Sequence, residues 1–127
     1  MSDSLTLAPA PDPAPSAKTL VLRAPEILGC AQLTHANRDQ LLEHVAREAE
    51  LSGLALLVLD LAGTFFINSA GLGALLTLRR RLARKGIAFA VARLDEDLRH
   101  LFAVTKLDTE LDVLVKLPEG WEEEHSG

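Results

Sequence analysis

The sequence predicts an α/β fold: a mostly parallel mixed sheet of four to five strands with helices packed on it. Three observations carry that expectation. Residues 54–61 form a near-continuous apolar run, the pattern of a strand covered on both faces. Residues 34–50 and 70–84 carry apolar side chains at helical spacing. Helical stretches alternate with strand-like ones, and parallel strands need such crossovers.

The elements follow in order. Residues 1–17 read as an N-terminal arm rich in Pro and Ala, in which Leu5-Thr6-Leu7 reads as a short edge strand. Thr19-Leu20-Val21-Leu22-Arg23 is the first convincing strand, closed by Pro25. Residues 26–32 fit neither template, and Gly29 marks a turn or a bulge. Thr34 reads as the N-cap of a helix reaching about Glu50, with Leu41, Leu42, Val45, Ala46 and Ala49 on its apolar face. Ser52-Gly53 stops it. The apolar strand 54–61 follows, then a helix over 70–84 with Lys85-Gly86 as its C-terminal stop. Residues 87–92 read as a buried strand, Asp95 as the cap of a shorter helix, and residues 111–117 as a last short strand. The folded unit therefore spans 18–117. Residues 118–127 form an acidic tail in which Trp121 either docks locally or floats.

The chain of 127 residues suits one domain and one core, and 48% hydrophobic residues argue against disorder. The formal net charge of -5 offers no global basic field for nucleic acid or an anionic membrane. Cys30 is the only cysteine, which excludes an internal disulfide and a thiolate-rich metal site. The beginning Met1-Ser2-Asp3-Ser4 has no basic region followed by a long apolar one, so a cytoplasmic location is expected. Residues 54–78 are apolar enough to suggest a membrane span, but Asp60, Gly63, Asn68, Ser69, Gly71 and Gly73 interrupt them. A strand, a turn and a helix fit those interruptions better.

The chemistry gathers at Phe65-Phe66-Ile67-Asn68-Ser69-Ala70-Gly71-Leu72-Gly73. There a strand passes into a helix, and Ser69 sits beside the unpaired N–H groups of the first turn. A nucleophile elbow, G-x-S-x-G, would need glycine at Ile67. No motif surrounds His35, His44, His100 or His125, so no base is placed and no catalytic residue is assigned. Gly71-Leu72-Gly73 is neither a Walker loop nor a full G-x-G-x-x-G, and no spacing suggests a metal. The cluster Arg79, Arg80, Arg81, Arg84 and Lys85 complements the negative end of a helix dipole. Gly71, Leu75, Leu78 and Leu82 form the buried stripe. Leu72 and Leu76, at its margin beside Arg79 and Arg80, are either core or an exposed apolar edge suited to a protein partner. Asp60, at the end of the buried strand, either orders the following turn or lines the site around Ser69.

Leu56-Leu57-Val58-Leu59-Asp60-Leu61-Ala62-Gly63 and Phe66-Ile67-Asn68-Ser69-Ala70-Gly71-Leu72-Gly73 together resemble the STAS domain family, and more closely its bacterial anti-sigma factor antagonists. The pattern there is an apolar strand ending in Asp, a short turn, then D-S-[STA]-G-L-G opening a helix. Lys85-Gly86, the strand over 87–92, Leu98-Arg99-His100-Leu101-Phe102 and Lys106-Leu107-Asp108 extend the resemblance across about residues 19–115. The resemblance implies a cytoplasmic antagonist without cofactor. It would bind an anti-sigma factor that is also a serine kinase through Asn68, Ser69, Ala70, Gly71, Leu72, Leu76, Arg79 and Arg80, and be released by phosphorylation of Ser69. A serine phosphatase is an implied partner, a weak homo-oligomer is compatible, and neither nucleic acid nor membrane insertion is expected. Asn68 stands where the family pattern has Asp, and residues 24–32 depart from its G-E-L-D segment. Asn68 motivates a second reading, an accessory subunit of a membrane transporter that does not switch. A third is a scaffold domain of a signalling assembly.

Overall fold

A computed structural model describes residues 18–50 and 53–118; the arm before Lys18, with residues 5–7, and the tail with Trp121 lie outside them, as does Ser52. In chain order the elements are β1 (Lys18–Arg23), α1 (Ala24–Leu28), β2 (Gln32–Leu33), α2 (Arg38–Glu48), β3 (Leu54–Asp60), β4 (Phe66–Ile67), α3 (Ser69–Arg84), β5 (Ala88–Ala92), α4 (Glu96–Val104), a 3₁₀ turn (Leu107–Thr109) and β6 (Asp112–Leu114).

The main sheet has the order β1-β3-β5-β6, and each neighbouring pair is parallel. The predicted α/β class therefore holds. β3 is central because its side chains are apolar on both faces. Leu57 and Leu59 enter the main core with Phe89 and Val91 from β5, while Val58 joins Ala90, Ala92 and Leu117 on the opposite face. Helix α3 closes the main core with Leu75, Leu78 and Leu82, each worth about 1.5–3 kcal/mol of transfer free energy when fully buried.

Two sequence expectations change at the N-terminal half. Pro25 does end β1, but it also starts α1, occupying the first turn where a missing N–H costs nothing. Gly29 then stops that helix in the left-handed region at φ 70, which explains the unassigned stretch 26–32. Thr34 is not the cap of α2. Its Oγ1 accepts from Ala36 N–H and its carbonyl from Asn37 and Arg38, so it closes a separate turn, and α2 begins at Arg38 after Asn37. Asn37 is fixed in that turn because its Oδ1 accepts from Thr34 N–H and its Nδ2 donates to the Gln32 carbonyl. Asp95 caps α4 as expected, its Oδ1 2.8 Å from Leu98 N.

A second, two-stranded ribbon stands apart from the main sheet. In it β2 and β4 pair in parallel, Gln32 against Phe66 and Leu33 against Ile67. This ribbon delivers the chain to the N-terminus of α3.

Candidate functional site at the start of helix α3

Each residue at the junction has a physical reason to be where it is. Asn68 is extended and caps α3: its Oδ1 accepts from Gly71 N–H at 3.0 Å, satisfying one of the orphan donors of the first turn. Its own N–H donates to the Leu33 carbonyl at 3.2 Å, tying the cap to β2. Gly71 is buried where a Cβ would lie 2.4 Å from that same Leu33 oxygen and 2.7 Å from Ile67 Cγ2. Only glycine lets the helix pass so close to the ribbon. Gly73, one residue past the first turn, meets nothing within 4 Å.

Ser69 is thus the first helical residue, exposed, on a backbone held from both sides. The first turn of α3 contains no acidic residue. Its positive dipole end faces outward with a neutral amide cap and no carboxylate in the turn.

The residues expected around Ser69 divide into three groups. Asn68, Ala70 and Gly71 share its turn. Leu72 and Leu76 are half-buried and pack against the main core, so they form a margin of that core rather than an open apolar edge. Arg79 and Arg80 are exposed further along the helix, with Arg81 and Arg84 in the last turn and Lys85 Nζ 3.6 Å from Glu50.

Asp60 is wholly buried at the end of β3. Arg93 grips it through two donors, Nε at 3.1 Å and Nη2 at 2.6 Å, and Arg23 Nε lies 3.5 Å away. Its Oδ1 also accepts from Ala62 N–H, so it orders the turn that leads toward Ser69.

Two features went unread in the sequence. Phe65 and Phe66 are exposed, by 65% and 51%, immediately before the junction. A two-residue strand is too short to show the alternation that would have revealed this. His35, which follows the expected cap Thr34, lies in the turn before α2, where its Nδ1 is 3.4 Å from Asn68 Nδ2. That approach, between residues 33 positions apart, depends on the ribbon pairing of β2 with β4.

A family model for the STAS domain matches residues 30–119, which covers most of the chain and every residue of this site but Arg23. The chain belongs to the STAS domain family. Comparison with curated proteins found no match. As a STAS domain this chain has a surface suited to protein–protein interaction, and among its described residues no helix is long and apolar enough to cross a membrane.

Proposed function

We propose that this STAS domain is an anti-sigma factor antagonist that acts in the cytoplasm by binding, not by catalysis, and is switched by phosphorylation of Ser69. The observation that carries this reading is an exposed serine at the first position of a long helix whose first turn lacks acidic residues. A phosphate there adds about -1.5 to -2 charges at neutral pH. Near a helix N-terminus such charge is favourable by about 0.3–1 kcal/mol, so the fold tolerates it. Buried in an interface it meets desolvation and like-charge penalties of several kcal/mol, so the complex does not.

The partner surface in this reading comprises Phe65, Phe66, residues 68–70 and the exposed parts of Leu72 and Leu76, with Arg79 and Arg80 beyond; Gly71 is buried beneath it. Aromatic side chains, phenylalanine included, are enriched at the cores of protein interfaces. The partner is an anti-sigma factor with serine kinase activity, and a serine phosphatase resets the switch.

The test is phosphorylation by the anti-sigma factor kinase encoded nearest the gene. Incubation with ATP should add one phosphate by intact mass, absent in Ser69→Ala. Ser69→Ala should still bind the kinase, and Ser69→Asp should bind at least tenfold more weakly. An active kinase that leaves Ser69 unmodified sinks the reading.

Asn68 favours one alternative, because it removes the carboxylate that precedes the serine in the family's phosphorylated members. In that alternative the domain is a transporter's accessory subunit that does not switch. Co-purification with a transporter ATPase and with no kinase would support it.

A further inference from the structure

The loop that leads from β3 to Ser69 contains features that work against its conformation. Thr64 is 2% exposed, and its Oγ1 has no hydrogen-bond partner among the described residues. An unsatisfied buried hydroxyl works against the conformation that creates it. Gly63 takes φ 85, and Arg93, just past β5, takes φ 59, a left-handed conformation that a side chain disfavours. Such a cost persists where something else fixes the geometry.

What fixes it is the grip on Asp60. The Asp60 carboxylate accepts from Arg93 Nε and Nη2 and from Ala62 N–H, with Arg23 Nε a looser second cation at 3.5 Å, and the Leu61 N–H donates to the Ala92 carbonyl at 2.8 Å. Further along, the loop is tied at separate points. Thr64 N–H donates to Leu61, Phe65 N–H to Ala31, and Asn68 N–H to Leu33, and Asn68 caps Gly71. Arg93, just past β5, stays tied to the sheet by its N–H, which donates to the Leu114 carbonyl. A guanidinium anchored in the main sheet thereby holds the carboxylate from which the Ser69 loop hangs.

We propose that Arg93 is a positioning residue for Ser69, latching the 61–67 loop to the main sheet through Asp60. The left-handed backbone at Arg93 is part of the latch, since it accompanies the bidentate grip. The link to function rests on the reading of Ser69 as the modified residue; the latch does not.

Amide hydrogen exchange on the full chain tests it. Arg93→Gly removes the guanidinium and relieves the backbone at φ 59 in one change. Amides in 61–67 should exchange at least tenfold faster than in the parent, while those of β3, β5 and the second half of α3 stay within twofold. Arg93→Lys, which keeps the charge but not the two-donor grip, should give an intermediate rise of about threefold. It also serves as the deciding variant if Arg93→Gly does not fold. Rates in 61–67 within twofold of the parent overturn the latch, and so does a loss spread evenly across every strand. With a kinase that modifies the parent, Arg93→Gly should raise KM about tenfold with little change in kcat. A kinase that leaves the parent unmodified counts against the Ser69 reading alone, because the exchange result still decides the latch.

Discussion

Helices α3 and α4 begin alike and differ in charge. In each, an extended Asx residue caps the first turn and accepts from the N–H three residues on: Asn68 from Gly71, Asp95 from Leu98. The α4 start is saturated with negative charge, since Glu96 and Asp97 follow the Asp95 cap. The α3 start has an amide cap, then serine, alanine and glycine, and no acid in its first turn. The same backbone device is thus electrostatically complete in one helix and incomplete in the other. The incomplete one is the one with an exposed hydroxyl. The third residue differs as well: Leu98 fills the core, whereas Gly71 makes room for a neighbouring backbone carbonyl.

The largest way to break this comparison is at that third residue. Gly71→Ala places a methyl 2.4 Å from the Leu33 oxygen, a contact that must shift the ribbon or the helix. Overpacking of this kind costs about 1–3 kcal/mol, and the upper part of that range is expected because backbone yields less than a side chain. Gly73→Ala is the control. It is exposed with nothing within 4 Å, so it should stabilise by about 0.5–1 kcal/mol through helix propensity. Urea unfolding of both variants checks the pair. Equal midpoints would mean that α3 does not approach the ribbon as described.

Next come the caps. Asn68→Ala and Asp95→Ala each remove an acceptor from an orphan N–H, and each should cost about 1 kcal/mol. Asn68→Ala should cost slightly more, since its Nδ2 also approaches His35. Paired urea melts decide this, and a loss at Asp95 more than twice that at Asn68 would contradict it.

These predictions use features of unequal legibility. Strand β3 and helix α3 were readable because their apolar patterns run long enough to reveal their periods. The Asp95 cap was readable because an acid precedes an apolar helical pattern. Thr34 misled because Thr34 and Asn37 are both cap-type residues three positions apart. What decides between them is Asn37 bonding to Gln32, on a strand two residues long that leaves no pattern. Pro25 revealed only the strand end, because ending a strand and opening a helix use the same fixed φ. Asp60 was legible as a strand end, but its grip by Arg93 spans 33 positions and depends on the parallel register of β3 and β5. The exposure of Phe65 and Phe66 followed from a ribbon that sequence did not announce.

The smallest effect is the sharpest for function. If the α3 start lacks negative charge, Asn68→Asp should stabilise by about 0.3–1 kcal/mol at low ionic strength. His35 accommodates the change by presenting N–H in place of a lone pair at Nδ1. The mirror substitution Asp95→Asn should destabilise by less than that gain, because Glu96 and Asp97 already supply the α4 dipole end and repel a third charge. Both effects should shrink in about 1 M salt, where screening acts over roughly 3 Å. Denaturant midpoints at low and high salt measure all four values. A neutral or destabilising Asn68→Asp at low salt would show that this turn does not welcome an anion. The tolerance of the fold for a phosphate on Ser69 would then need another source.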